Sequence, residues 1–214
     1  IETEDHFSGS GKGIFVGGVT TAGDLLVSGS VKSYEFESDT QANAIGAGFN
    51  GAEDGGVVES YVSKINGEIV TTLLVNIDDL VDSGTVKDVI GENGVGAAYL
   101  TRITTAVNGV VYRAEMACVE DPSGINAATD IDLVSNSTSL AEDTEYDSTG
   151  NAVVLIAAGA NWEAGIWRQS AAGLDTADLP NGYLYLVNGT GATSGGTYTS
   201  GKFIIKLYGA SFGS

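Results

Sequence analysis

The hydrophobic positions along much of the chain alternate with polar ones or form short β-branched runs, and both patterns indicate β-strands. Residues 69–75 read Ile-Val-Thr-Thr-Leu-Leu-Val, which predicts a strand in the interior of a sheet. Tyr34 and Phe36 alternate with two glutamates, as in a strand with one buried face. The remaining predicted strands lie at 13–16, 25–27, 31–37, 152–158, 183–187 and 202–208.

Two Asn-Gly pairs separate strand-like runs, Asn66-Gly67 and Asn108-Gly109. Asn and Gly both tolerate the positive φ that a two-residue type I′ turn requires, so each pair predicts a β-hairpin. The first hairpin joins residues 61–65 to residues 68–75. The second joins a strand that ends at Val107 to one that begins at Val110.

The register of the second hairpin predicts which side chains share a face. The predicted buried face consists of Tyr99, Thr101, Ile103, Thr105, Val107, Val110, Tyr112, Ala114, Met116 and Cys118. The opposite face places Arg102 across from Glu115 and Thr104 across from Arg113. We interpret that polar face as solvent-exposed, with a contact to a partner subunit as the alternative.

The other segments predict connections. Residues 77–81 and 86–90 have helical spacing over a single turn each, which makes them short connectors. Residues 1–12 are polar and rich in Gly and Ser, as in an arm, whereas residues 120–150 are rich in Asp, Asn, Ser and Thr and predict long surface loops.

The number of predicted strands defines the fold class. The chain has 214 residues, of which 31 are Gly and two are Pro. About ten short strands joined by tight turns favour an all-β fold, and the most economical arrangement is an antiparallel β-sandwich of the jelly-roll type. We expect residues 1–24 to form an N-terminal arm or a first strand and residues 25–214 to form the sandwich domain.

Charge and composition exclude several classes of function. With 28 acidic and nine basic residues the net charge is −19, which disfavours nucleic acids and anionic membranes as partners. One cysteine, Cys118, and one histidine, His6, exclude a disulfide framework and a Cys/His zinc cluster. His6 lies in the predicted arm and Cys118 on a predicted core face, so a nucleophile–base pair is not expected. We therefore expect no enzymatic activity and no cofactor.

One aromatic stretch is a candidate ligand site. Residues 161–168 read Asn-Trp-Glu-Ala-Gly-Ile-Trp-Arg and hold both tryptophans. The favoured interpretation is that Trp167, with Trp162 beside it, fills the core at a strand end. The alternative is a sugar platform on which the rings stack against a saccharide while Glu163 or Arg168 binds its hydroxyl groups.

The acidic residues offer a second candidate site, because Ca²⁺ and Mg²⁺ prefer oxygen ligands in loops. The candidate ligands are Asp78, Asp79, Asp82, Asp130, Asp132 and the acidic residues of 142–147. No EF-hand pattern is present, since Asp130-Ile-Asp132 lacks the following Gly and distal Glu. We expect solvated acids, with a structural Ca²⁺ or Mg²⁺ as the alternative.

Three stretches carry a resemblance to a known family. Residues 84–91, which read Gly-Thr-Val-Lys-Asp-Val-Ile-Gly, residues 96–120 and the closing strand at 201–209 resemble uncharacterised structural proteins of marine tailed bacteriophages. The resemblance implies a virion component, either a head decoration or cement protein or an appendage subunit. It implies no functional residues.

The expected function is therefore that of a non-enzymatic structural protein of a phage particle. We expect it to associate with itself, as a trimer or another symmetric oligomer, and with a capsid or other virion protein. One alternative is an extracellular filament subunit assembled by strand addition, with a donor segment such as residues 11–19. The other alternative is a carbohydrate-binding β-sandwich module. The chain begins at Ile1, which suggests either processing or a fragment.

Overall fold

The computed structural model describes residues 44–50, 55–65, 67–171, 174, 179, 181–192 and 195–211. The predicted arm at 1–24, the predicted strands at 13–16, 25–27 and 31–37, and Asn66 lie outside the described residues.

The described part of the chain contains ten strands and two helices of four residues each. In chain order they are α1 (Ala47–Asn50), β1 (Gly56–Ile65), β2 (Glu68–Asn76), β3 (Val81–Asp82), β4 (Thr101–Arg102), α2 (Thr105–Asn108), β5 (Val110–Ile125), β6 (Ile131–Asn136), β7 (Ala152–Ile156), β8 (Trp167–Gln169), β9 (Tyr183–Asn188) and β10 (Gly196–Ala210).

The strands form two antiparallel sheets. The larger sheet has the order β1-β2-β10-β5-β8, with β3 paired to the start of β10. The smaller sheet has the order β4-β9-β6-β7. Every pairing between these strands is antiparallel, and the predicted all-β class is confirmed.

The first predicted hairpin is confirmed. Strands β1 and β2 pair with Ile65 opposite Glu68, and Gly67 has a φ of 83°, as a two-residue turn requires. Strand β2 lies between β1 and β10, so its predicted interior position is also correct. Its β-branched and aliphatic residues are suited to this position because both neighbours are strands.

The second predicted hairpin is wrong. Residues 105–108 form α2, and β5 pairs with β10 and β8 instead of with residues 99–107. Arg102 lies in β4 opposite Tyr183 of β9, so it does not face Glu115. The cause is Asn108, which is buried and holds the chain in a helical turn where the hairpin required an exposed loop residue.

The predicted buried face of this region is correct only in part. Ala114, Met116 and Cys118 are buried, but Val110 and Tyr112 are exposed and Val111 is buried in their place. The pairing of β5 with β10 shifts next to Tyr112, which leaves one extra residue on β5. Such a bulge reverses which residues face the core on its two sides. In residues 99–107, which supplied the other half of the predicted face, Thr101 and Ile103 are buried, whereas Thr105 is exposed.

The predictions for the connections were less accurate. The interpretation of residues 120–150 as loops is wrong for its first half, because β5 continues to Ile125 and β6 spans Ile131–Asn136. Residues 77–81 and 86–90 are connectors but are not helical. Asp79 and Lys87 have φ values of 63° and 75°, and a left-handed residue ends any right-handed turn.

The predicted strands at 152–158, 183–187 and 202–208 are confirmed as β7, β9 and β10, the last of which begins earlier, at Gly196. The inward residues of both sheets belong to the same hydrophobic cluster. It includes Leu73, Met116, Leu133, Trp162, Leu186 and Phe203. Neither described helix is long or apolar enough to cross a membrane.

Candidate functional site

The side of the six-stranded sheet that faces away from the core is the candidate site. Residues of β2, β5 and β10 alternate, with Leu73, Met116 and Ile205 pointing into the core and their neighbours pointing outward. We call the outward set the outer face. It consists of Glu59, Tyr61, Ser63, Glu68, Val70, Thr72, Leu74, Asn76, Val110, Tyr112, Arg113, Glu115, Ala117, Val119, Glu120, Trp167, Gln169, Lys202, Ile204, Lys206, Tyr208 and Ala210.

Exposed hydrophobic side chains are concentrated on the outer face. Eight large hydrophobic residues of the described chain are strongly exposed, and five of them lie here. These five are Tyr61, Val110, Tyr112, Val119 and Trp167. A solvated sheet face normally carries polar residues, so these five exposed side chains make the outer face the candidate interaction surface.

A shallow depression of about 170 Å³ lies on the outer face beside Trp167. Ala117 and Ile204 line it with apolar surface, and Glu115 and Lys206 line it with charged groups. Trp167, Ala117 and Ile204 are neighbours on three adjacent strands, so the small side chain of Ala117 leaves space beside the indole ring. In the described part of the chain the Lys206 ammonium has no hydrogen bond or ion pair.

Glu115 belongs to a charged network that spans β5 and β10. Its carboxylate lies 3.4 Å from the Arg113 guanidinium and accepts a hydrogen bond of 2.7 Å from the Tyr208 hydroxyl. The guanidinium also lies 3.9 Å from the centroid of the Tyr208 ring. Burial, and then the Glu115 carboxylate, raise the pKa of Tyr208. The network keeps the three side chains in one arrangement.

The outer face is almost neutral in a strongly acidic chain. It carries three basic residues, which are Arg113, Lys202 and Lys206. It carries four acidic residues, which are Glu59, Glu68, Glu115 and Glu120. Its formal charge is therefore 3 − 4 = −1, against −19 for the whole chain. Lys202 and Glu120 form an ion pair of 2.7 Å.

The structure separates the two tryptophans. Trp162 is 2% exposed and lies in the core, whereas Trp167 is 54% exposed on the outer face. The interpretation of Trp167 as a core residue is therefore wrong. Arg168 lies over the Trp162 ring at 4.4 Å and donates to the carbonyl oxygens of residues 158, 160 and 161, while Glu163 is exposed in the turn before β8. Of the candidate ligand residues in the 161–168 stretch, Trp167 alone belongs to the outer face.

Arg102 lies on the other sheet. Its guanidinium is 5.4 Å from the centroid of the Tyr183 ring, and Tyr183 is 4.8 Å from Tyr99. Of the polar residues predicted to share a face, the structure therefore brings together Arg113 and Glu115 but not Arg102.

The candidate metal ligands Asp82, Asp130 and Asp132 accept hydrogen bonds from the backbone. Asp82 accepts hydrogen bonds from the backbone N–H groups of Gly84 and Ala128, both at 2.8 Å, and burial raises its pKa. Asp130 accepts from the N–H of residue 191, and Asp132 accepts from the N–H of residue 158. These carboxylates hold loops in place. Among the described residues no group of three or more His, Cys, Asp or Glu side chains could hold a metal ion.

A second acidic cluster contains Asp88, Glu142 and Asp143. Burial raises the pKa of Asp88. The Ser83 hydroxyl donates a hydrogen bond of 2.7 Å to the Asp88 carboxylate and lowers this pKa, whereas the neighbouring Asp143 carboxyl raises it. Burial raises the pKa of Glu142 too, with contributions from both aspartates. The cluster therefore holds like charges close together.

Cys118 has the properties of a core thiol. It is 3% exposed, and burial raises its pKa to about 11. His6, the other candidate for nucleophilic chemistry, lies outside the described residues.

No protein-family model matches this sequence, and no curated protein matches it. The sequence analysis named Trp167, Arg113 and Glu115 as candidate contacts but did not predict the outer face that they share. A sequence signal was present, because Lys202, Ile204, Lys206 and Tyr208 alternate with the core residues of β10. That alternation was the available signal. The positions of Trp167 and Glu115 beside it depend on strand pairing, which the alternation does not contain.

Proposed function

We propose that this chain is a non-enzymatic structural protein of a phage particle, a capsid decoration, cement or appendage subunit that acts through contacts of its outer face. The observation that carries the proposal is the concentration of exposed hydrophobic residues there. A patch of this kind would be a liability on a protein that acts alone, because it favours association. The resemblance of residues 84–91, 96–120 and 201–209 to phage structural proteins supports the virion as its location.

We also propose that the two sheets form a jelly-roll-like sandwich. Their inward residues share one cluster, and the chain passes between the sheets from β5 to β6 and from β9 to β10. Crossings of this kind are typical of jelly rolls and leave each sheet with an outward surface for neighbours.

The solution mass of the purified chain tests the proposed function. Size-exclusion chromatography with light scattering, over a concentration series up to about 100 μM, is expected to show a discrete oligomer. Open-ended polymers would instead favour the extracellular filament subunit. A strict monomer throughout the series would contradict assembly by this chain.

The depression beside Trp167 favours carbohydrate binding as a second candidate function. An exposed indole stacks on a sugar ring, and Lys206 and Glu115 offer a donor and an acceptor for hydroxyl groups. The test is tryptophan fluorescence of the wild type and of Trp167→Phe against a panel of soluble oligosaccharides. A change in the wild type that Trp167→Phe abolishes would support this function, and no change with any sugar would contradict it.

A further inference from the structure

We infer that the partner of the outer face is a second copy of this chain, docked face to face on the same surface. The inference rests on the proposed function and names the partner of that site. In a symmetric pair each copy presents the same patch, so the patch has to be compatible with itself. Its charge, the position of Lys206 and its area all meet this condition.

Charge balance is the first argument. A chain with a net charge of −19 repels its own copies over most of its surface, and the repulsion is smallest where the local charge is close to zero. The outer face has a formal charge of −1 and also carries five of the eight strongly exposed large hydrophobic residues of the described chain. Two copies can therefore approach there while the remaining acidic groups stay apart in solvent.

Lys206 supplies the second argument. It lies in the depression beside Trp167 and has no hydrogen bond or ion pair in the described part of the chain. Of the four carboxylates on this face, Glu115 and Glu120 have cationic partners in their own chain. Glu59 and Glu68 form no ion pair with the described residues, so a second copy can bring a carboxylate within reach of this ammonium. An anionic partner is favoured at this position, and another copy of an acidic chain supplies one.

The available area is the third argument. Four strands about 4.8 Å apart, with outward rows that extend about 25 Å along them, and the three-residue strand β8 give roughly 500 Å² in projection. Side-chain relief increases this area toward the roughly 800 Å² per partner of a standard interface. The outer face is therefore large enough for a stable dimer.

The test is a pair of matched substitutions. Val119→Glu places a carboxylate on the outer face, where Val119 is 54% exposed. Val154→Glu makes the same change on β7 of the other sheet, where Val154 is 42% exposed. Both positions are exposed, so both variants are expected to fold, which thermal melting verifies. Analytical ultracentrifugation then measures the dimer dissociation constant of each.

We expect Val119→Glu to weaken dimerisation by at least about tenfold and Val154→Glu to leave it within about twofold of the wild type. Equal weakening by both variants would overturn the inference, because net charge alone would explain it. An oligomer that Val119→Glu leaves intact would also overturn it, since assembly would then use another surface. In that case the proposed role as a self-associating structural protein would stand and only its use of the outer face would fail, whereas a monomeric wild type would contradict both.

Two further readouts address the same surface. Acrylamide quenching of Trp167 is expected to increase when the wild-type dimer dissociates on dilution, and quenching that does not change would overturn the inference.

Association is expected to strengthen between about 0.05 and 0.5 M NaCl because salt screens the repulsion between acidic copies. Weakening by salt would contradict the charge argument.

Discussion

Trp162 packs edge-on against Phe203, with the ring centroids 5.6 Å apart and the ring planes at 78°. Phe203 belongs to the six-stranded sheet, whereas the Trp162 indole N–H donates a hydrogen bond of 2.7 Å to the carbonyl oxygen of Ile131 in the four-stranded sheet. One buried side chain therefore links the two sheets by an aromatic contact and a hydrogen bond.

Replacing Trp162 is expected to destabilise the protein strongly. Trp162→Ala removes a fully buried ring and both links, so we expect a loss of about 3–5 kcal/mol in the free energy of unfolding. The control is Trp167→Ala, where the ring is 54% exposed and the expected change is below about 1 kcal/mol. Urea unfolding of the monomer measures both. Similar losses for the two variants would show that Trp162 does not have this role.

Asn108 is expected to stabilise the fold through its amide. Its Nδ2 donates to the Thr71 hydroxyl at 2.8 Å, and its Oδ1 accepts from the Thr104 N–H at 2.8 Å. Asn108→Ala removes this hydrogen-bond partner of the Thr71 hydroxyl and of the Thr104 N–H at a buried position, so we expect the free energy of unfolding to fall by about 1–3 kcal/mol. Chemical denaturation measures the loss.

The control for this prediction is Asn93→Ala, at an exposed turn residue, which is expected to change stability by less than about 0.5 kcal/mol. Asn108→Asp keeps the acceptor but removes the donor, so it is also expected to destabilise. A fully stable Asn108→Asp protein would mean that the hydrogen bond to Thr71 contributes little.

Asp143→Asn is expected to stabilise the protein at pH 7. Burial first, and Asp143 as well, raise the pKa of Asp88, so the fold favours its protonated form. This contribution to stability is present below the unfolded pKa of about 4 and is lost as the pH rises through the higher folded pKa. Removing the Asp143 charge relieves the repulsion, with a gain of up to about 1 kcal/mol at pH 7 that diminishes toward pH 3.

Asp79→Asn is the matched control for this substitution. Both aspartates are exposed and have similar left-handed backbones, with φ values of 63° for Asp79 and 60° for Asp143, which Asn tolerates well. Both variants change the net charge equally. Thermal melting from pH 3 to pH 7 should show the pH-dependent gain for Asp143→Asn alone, and the same gain in both would assign it to net charge.

The Cys118 thiol is expected to be unreactive in the folded protein. With a pKa of about 11, roughly one thiol in a thousand is ionised at pH 8, and the Cys118 residue is 3% exposed. A thiol-specific chromogenic reagent at pH 8 should label Cys118 slowly in buffer and rapidly in denaturant. Rapid labelling without denaturant would show that this part of β5 opens.

Local sequence patterns were sufficient to predict the secondary structure of segments whose conformation depends on residues adjacent in the chain. The alternating and β-branched residues of 69–75 and 183–187 predicted strands, and Gly67 supports the turn between β1 and β2. Backbone preference and side-chain period act over a few residues, so these features can be predicted from the sequence.

The preference of Asn-Gly pairs for hairpin turns gave the wrong prediction at Asn108-Gly109. The pair has the composition of a hairpin turn, but the Asn108 side chain is buried against Thr71, 37 residues earlier in the chain. The candidate site depends on the same kind of distant contact. Lys206 and Glu115 are opposite each other in the register of β10 and β5, and a bulge beside Tyr112 decides which residues of β5 face outward.

The sequence by itself therefore determined the all-β class, the hairpin of β1 and β2, and the net charge of −19, which disfavours nucleic acids as partners. Only the tertiary structure decided that Trp162 is buried and Trp167 exposed, and that five of the eight strongly exposed large hydrophobic residues of the described chain share one nearly neutral face. The physical reason is that burial and strand pairing depend on residues far apart in the chain, whereas the local pattern of a strand is the same on either side of a sheet.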